Sequence, residues 1–329
     1  MKLRKKFRWD YPYMNARTRA RTSKLLDRSD YQKLVRMSLN EISKKLEEGQ
    51  YKKEIDMLGS EYSGAELLEK ALHRHAVNSL KAMAEMSPEE IESFIRTYTR
   101  RYDIQNIKEV TGTGDVDIDS IAVTGLELDR EDLKELQGKT TEEIKESLEF
   151  GEPYDSMMDG CESISELDEA LDKAHHRELE ELCEKTGDEA ILDLLKSEIE
   201  FNDIKTALRL KRYGAGKEEV TERLMMEDTS ETVESLAEAE TEEEFLEILN
   251  GTEWSTDAET VTEAEHVMEV KRLERSLSGL REGYLGAAPV LGYIIAKMIE
   301  VENLETLVKA KKTGVMDQEE IMQSMVIAE

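Results

Sequence analysis

The sequence predicts an all-α protein made of three tandem, similar helical domains. Composition is the first ground: Glu, Leu, Lys and Ala lead, with Met well represented, aromatics are 5% and there are four prolines, a balance that favours helices over sheets. An internal repeat is the second. Glu300-Val301-Glu302-Asn303-Leu304 leads to Lys309-Ala310-Lys311-Lys312-Thr313-Gly314. About 100 residues upstream, Glu200-Phe201-Asn202-Asp203-Ile204 leads to Arg209-Leu210-Lys211-Arg212-Tyr213-Gly214 in the same register. A third copy, Asp103-Ile104-Gln105-Asn106-Ile107-Lys108, keeps the acidic and apolar half but has Thr111-Gly112-Thr113-Gly114 where the basic run would stand. This period exceeds that of a TPR or HEAT solenoid and reads as tandem domains. The third ground is a set of long apolar stripes at helical spacing.

Residues 1–24 form a basic arm, nine Lys and Arg against Asp10 alone. It reads as a disordered tail or as an anchor to an acidic membrane surface, with a short helix expected from Asn15 to Leu26. Three short capped segments follow at intervals. Ser38-Leu39-Asn40-Glu41 is a capping box whose helix stops at Gly49; Thr140 to Glu143 leads through Leu148 to Gly151 and Tyr154; Thr241 to Glu244 leads through Leu249 to Gly251 and Trp254. Gly49, Gly151 and Gly251 are expected at the left-handed position that ends a helix.

Long segments alternate with the short ones. Their stripes are Leu67, Leu68, Ala71, Leu72, Ala76, Leu80, Met83; then Leu167, Ala170, Leu171, Ala174, Leu179, Leu182; then Val267, Val270, Leu273, Leu277, Leu280. A further helix follows each stripe and ends near the repeated motif, the first opening at Ser87-Pro88 with proline in the first turn. The domains are therefore placed at 25–124, 125–227 and 228–329, each burying its stripes against its own neighbours. Thr111 to Leu128, with several Gly, β-branched residues and alternating Asp, reads as a loop or a short hairpin.

A formal charge of −30 argues against a nucleic-acid partner, which needs a cationic surface. Salt adaptation is the preferred account of that charge, and a basic partner the other. Cys161 and Cys183 make no disulfide framework or metal spacing. The basic start has no apolar core behind it and no run is long enough to span a bilayer, so a soluble intracellular protein is expected.

No constellation points to catalysis. His73, His75, His175 and His176 lack Cys or His partners at ligand spacing and are expected as surface or boundary residues rather than metal ligands. Acid pairs four apart are expected from composition alone and read as a solvated face. Gly112-Thr113-Gly114 with Asp115 and Asp117 lacks both the Lys-Ser/Thr of a P-loop and the terminal Glu of an EF-hand, and reads as a turn. Met157, Met158, Met225 and Met226 read as core filler. The basic clusters Arg209, Lys211, Arg212 and Lys309, Lys311, Lys312 stand out in so acidic a chain. They read either as cations favoured by a helix C-terminus that Gly214 and Gly314 close, or as a repeated partner contact. Asn106, Asp203 and Asn303 mark the repeat itself.

Several stretches carry a resemblance across nearly the whole chain: Ala16-Arg17-Thr18-Arg19-Ala20-Arg21, Tyr31-Gln32-Lys33-Leu34, Leu46-Glu47-Glu48-Gly49-Gln50-Tyr51, Leu58-Gly59-Ser60-Glu61-Tyr62-Ser63-Gly64, and Pro289-Val290-Leu291-Gly292-Tyr293 running into the last repeat. Their order resembles the C subunits of archaeal and bacterial A-type or V-type rotary ATPases, relatives of the d subunit of eukaryotic V-ATPases, and the acidity is that of a halophilic archaeal member. The resemblance implies a funnel of three helical domains about a pseudo-threefold axis, with no active site and no cofactor. It would sit at the cytoplasmic face of the membrane on the proteolipid (c/K) ring, receive the D and F subunits of the central shaft, and transmit torque. The first repeat departs from the family pattern by keeping only Lys108 of the basic run. Two readings compete with this one: a free-standing helical scaffold or adaptor unrelated to rotary machines, and an enzyme using the histidines and acids of the inner helices.

Overall fold

Cap chemistry sets where several of the short helices begin. In the computed structural model, which describes residues 10–112, 116, 118, 125–186, 189–222, 231–282 and 286–328, the expected boxes form. Ser38 and Glu41 cap one another's backbone at the start of α3, and Thr140 with Glu143 does the same at α8. Thr241 accepts from the Glu244 N–H at α14, but Glu244 reaches one residue further back, to the Glu240 N–H. Similar boxes at Asp27, Asp129 and Asp317 open α2, α7 and α17.

The helices among the described residues are α1 (Asp10–Thr22), α2 (Arg28–Leu34), α3 (Leu39–Glu47), α4 (Lys52–Leu58), α5 (Gly64–Glu85), α6 (Glu89–Gly112), α7 (Arg130–Leu136), α8 (Thr141–Ser147), α9 (Tyr154–Met158), α10 (Ile164–Thr186), α11 (Glu189–Arg212), α12 (Lys217–Glu222), α13 (Glu231–Glu238), α14 (Glu242–Asn250), α15 (Val261–Glu282), α16 (Ala288–Thr313) and α17 (Gln318–Ser324). The described residues contain no strand, and the all-α class holds. Short helices and long hairpins alternate: α2–α4 then α5/α6, α7–α9 then α10/α11, α13–α14 then α15/α16.

The buried side chains do not follow the boundaries 25–124, 125–227 and 228–329. They form three clusters, and the long helices pass from one to another. One core joins Ile104, Ile107 and Val110 of α6 to α7–α9 and to Leu167–Ala174 of α10. A second joins Phe201–Leu208 of α11 to α12–α14 and to Val261–Met268 of α15. The largest joins α2–α5, the first half of α6, nearly all of α16 and Ile321 of α17, together with Met14 of α1, Leu179 of α10, Ile191, Leu194 and Leu195 of α11, and Leu273 and Leu280 of α15. The two smaller cores each hold the end of one hairpin, the short segment after it and the start of the next hairpin, while the largest holds the first short segment with residues of all three hairpins. For the first short segment the preceding hairpin is the last one in the chain.

Other expectations change for identifiable reasons. The arm is helical from Asp10 and packs on α16, with Met14, Asn15 and Thr18 buried; residues 1–9 lie outside the described residues. Gly251 has φ −81 and Gly49 is not left-handed, because both sit in αR turns that lead directly into the next stretch. Gly151 is left-handed (φ +75) but stands past the end of α8, in the turn before α9. On α15 the expected Leu273 and Leu280 are buried, with Val261, Ala264, Met268, Arg272 and Ser276, while Val267, Val270 and Leu277 are half-buried. At Ser276 the approach of α16 is close: a Cβ on Gly292 would lie 2.3 Å from the Ser276 carbonyl oxygen. The helix α6 extends through Thr111 and Gly112, and most of the interval to Leu128, with Thr113, Gly114, Asp115 and Asp117, lies outside the described residues. Met225, Met226 and the side chain of Cys183 lie outside them too.

Candidate functional site

The repeated motif opens with an acid three residues ahead of Asn106, Asp203 and Asn303. In each copy that acid holds the short segment that follows. On α16, Glu300 is buried and accepts from the Leu26 N–H at 2.6 Å, the Tyr51 hydroxyl at 2.6 Å and the Lys297 ammonium at 2.6 Å. On α6, Asp103 accepts from the N–H groups of Gly125, Glu127 and Leu128 at 2.9, 3.2 and 3.3 Å. On α11, Glu200 accepts from Trp254 Nε1 at 3.0 Å. Leu26 and Leu128 hold the same place, one residue before the N-caps Asp27 and Asp129. The middle of α16 therefore grips the first short segment as α6 grips the second.

Burial decides the electrostatics of these links. Burial lowers the Lys297 ammonium, with Glu300 opposing, and Lys297 also lies over the Tyr51 ring at 4.5 Å. Burial raises the Asp103 carboxyl to about 7 against the pull of its three N–H donors. Asn303 adds a second clamp: its amide donates to the Val326 carbonyl at 2.7 Å and accepts from the Val326 N–H at 2.8 Å, tying the chain after α17 back to α16. Asp203 and Asn106 are buried at their matching places.

A further ionic group lies where α6, α11 and α15 meet. Arg272 donates to both Glu198 oxygens, at 2.8 and 3.0 Å, Arg101 approaches at 3.3 Å and the Tyr98 hydroxyl donates at 2.8 Å. Burial raises the Glu198 carboxyl, but Arg272 and then Arg101 outweigh it and hold it down to about 2. Arg101 and Glu198 both stand five residues ahead of the repeat's Asn or Asp, so equivalent positions of two copies meet.

The four histidines are buried, not at the surface as their spacing suggested. His73 lies 2.9 Å from Glu305, His75 3.2 Å from Glu54, His176 3.0 Å from Glu180, and His175 3.2 Å from the Tyr154 hydroxyl. Each faces a carboxylate or phenol on a neighbouring turn or element, which makes burial tolerable. Among the described residues no group of three His, Cys, Asp or Glu is placed to hold a metal ion.

The basic clusters end their helices. Gly214 (φ +81) closes α11 with the Ala215 N–H on the Leu210 carbonyl and the Gly214 N–H on Lys211, a Schellman arrangement; Gly314 (φ +65) closes α16 with one bond to Ala310. Lys311 donates to the Val35 carbonyl at the end of α2, and Lys312 meets Glu69 of α5 at 3.2 Å. Arg212 reaches the Thr262 hydroxyl at 3.4 Å. Arg209 and Lys309 are exposed, Lys309 lying 3.9 Å from Glu305, and Lys211 is half-buried. The six cations thus divide between internal ties and surface. Lys108 of the first copy pairs with Asp172 of α10. The motif's acid, the aromatic after each Gly and Lys297 were all visible in the sequence; nothing there paired them across the chain.

The model of the ATP synthase (C/AC39) subunit family matches residues 14–323. The C subunit of the A-type ATP synthase of Archaeoglobus fulgidus is 33% identical, the match covering 96% of each chain. The proteins of the same name from Haloquadratum walsbyi and Methanococcoides burtonii are each 28% identical, over 93% and 97% of this chain and 96% and 94% of theirs. With its residues covered from one end of the helical array to the other, this chain belongs to the ATP synthase (C/AC39) subunit family.

Proposed function

We propose that this chain is the C subunit of an A-type ATP synthase and serves in the rotor as a socket between the proteolipid ring and the D and F subunits of the central shaft. Its role is structural and it performs no catalysis. The observation that carries the socket reading is the cyclic linkage: each short segment is gripped by an acid on a long helix, buried Asp103 and Glu300 and half-buried Glu200, and Glu300 closes the series back to Leu26 and Tyr51. A closed series lets a torque applied to one repeat pass to its neighbours through buried contacts, and close packing transmits strain rather than absorbing it. The meeting of Arg101 with Glu198 supports convergence of the repeats on a pseudo-threefold axis, the geometry of a funnel.

No helix among the described residues is long and apolar enough to cross a membrane, in keeping with a peripheral place at the cytoplasmic face. The exposed Arg209 and Lys309 are assigned to partner contact, with Lys211, Arg212, Lys311 and Lys312 beside them. The charge of −30 supports a salt-rich interior, and kinship with the d subunit of V-ATPases belongs to the same reading.

The test is a mass inventory of what co-purifies with the tagged chain after gentle, salt-matched detergent extraction. Proteolipid, D and F are expected in stoichiometric amount. Recovery of the chain alone would overturn the socket and leave the free-standing scaffold.

A further inference from the structure

Helix α2, the end of α3 and the stretch ahead of α2 enclose a cavity of about 460 Å³. Its floor is hydrocarbon: Leu34, Leu46 and Tyr51 are buried there and Leu26 is half-buried. Three exposed lysines line it, each from a different element: Lys24 ahead of α2, Lys33 on α2 and Lys45 on α3. Two carboxylates stand among them. Asp30 lies 3.3 Å from Lys33 and also accepts from the Asp27 N–H in the cap of α2, and Glu48 lies 3.0 Å from Lys45. Lys24 meets no carboxylate among the described residues, so in a chain of net charge −30 this cavity keeps one positive charge in excess. The polar groups beneath the lysines are already engaged. The Tyr51 hydroxyl donates to Glu300 at 2.6 Å, and the Gln50 amide donates to the Lys24 carbonyl. The neighbouring cavity of about 430 Å³, which Leu26 also lines, sets Asp27 and Glu300 against Arg28 and offers an anion no such excess.

We propose that the lysine-lined cavity binds an amphiphile with a single apolar chain and an anionic head. Its volume lies within the range of small-molecule sites, about 300–1,000 Å³. An apolar chain would cover the leucines and the Tyr51 ring, while the head would balance the charge at Lys24; an ammonium group holds a carboxylate or a phosphate as a point charge. Lys33 and Lys45 sit in exposed pairs with acids three residues away, and such pairs hold too weakly to keep either ammonium from a ligand. The Leu26 N–H is also the group that Glu300 grips at 2.6 Å, so a filled cavity would brace the closure of the first short segment.

The test is calorimetric titration of the full chain with decanoate and with decyl phosphate, each below its micelle concentration. Both should bind, the tighter one naming the head. Inorganic phosphate, a head without a chain, and decyl glucoside, the chain under a neutral head, should each bind at least tenfold more weakly. Shortening the chain by two methylenes should weaken binding about 15-fold. Lys24→Gln, which disturbs no ion pair, should weaken it about fivefold. Adding Lys45→Gln should weaken it further, because Glu48 then faces the head unpaired. Saturating decanoate should raise the amide-exchange protection of peptides spanning Leu26 to Tyr31, as expected of a ligand that binds only the closed form. No binding of either anion would overturn the proposal, as would equal affinity of wild type and the double variant. Equal binding of decyl glucoside or inorganic phosphate, or unchanged protection at Leu26 to Tyr31, would overturn it too. None of these outcomes bears on whether the chain is recovered with proteolipid, D and F.

Discussion

Replacing Glu300 with Gln tests whether the cyclic closure is real. The carboxylate is 3% exposed and serves three buried donors: the Leu26 N–H, the Tyr51 hydroxyl and the Lys297 ammonium. Gln keeps the shape, removes the charge and leaves Lys297, 1% exposed, without its anionic partner, facing neutral acceptors such as the Tyr51 hydroxyl at 3.1 Å. Breaking one side of a buried ion pair costs about 3–5 kcal/mol. The double variant Lys297→Met with Glu300→Gln has no stranded charge and should recover much of that, leaving about 1–3 kcal/mol for the donor still unmet. Amide hydrogen exchange read by mass spectrometry localises the effect. In Glu300→Gln, protection of peptides spanning Leu26 to Tyr31 should fall more than a hundredfold, the equivalent of about 3 kcal/mol. Peptides of α7–α9, held by Asp103 instead, should change little. Equal loss in both segments, or a double variant no better than the single, would refute the reasoning.

Three other outcomes are expected. His175 is driven down to about 3, chiefly by burial and then by Arg101 and Arg100, against about 6.5 in the unfolded chain; the unfolded state therefore binds the extra proton below pH 6.5, and stability is lost as pH falls from there. Urea titrations should find the His175→Gln variant less pH-sensitive, the two curves converging by about 2 kcal/mol between pH 6.5 and 4.5. Gly292→Ala should destabilise by about 1–3 kcal/mol in a thermal melt, because its Cβ meets α15 backbone at 2.3 Å, and a change within error would mean that α15 and α16 pack more loosely. Charge reversal separates surface from tie: Lys309→Glu should leave urea stability within about 0.5 kcal/mol, whereas Lys311→Glu should cost about 1–3 kcal/mol by leaving the Val35 carbonyl without its donor.

Helix class, cap positions and the repeat were legible because they are local. Ser38 with Glu41, and Thr140 with Glu143, lie three residues apart and find each other within one helical turn, and the αL ends at Gly214 and Gly314 follow from a missing Cβ. The motif around Asn106, Asp203 and Asn303 was legible as a pattern, but its purpose was not. The same holds for the histidines: spacing could exclude a metal set but could not reveal that Glu54, Tyr154, Glu180 and Glu305 would make their burial acceptable.

By itself the sequence determined that the chain would be helical, where several of its short segments would start and that the motif around Asn106, Asp203 and Asn303 recurs three times. Only the tertiary structure decided which parts share a core, because apolar burial is non-directional and a stripe such as that on α5 fits any partner of the right width. It also decided that α16 closes on Leu26 and Tyr51, some 250 residues away in sequence. A hydrogen bond over that separation leaves no periodic trace in the chain. It exists because folding brings a carboxylate, a phenol and an ammonium into one dry place where none could remain without the others.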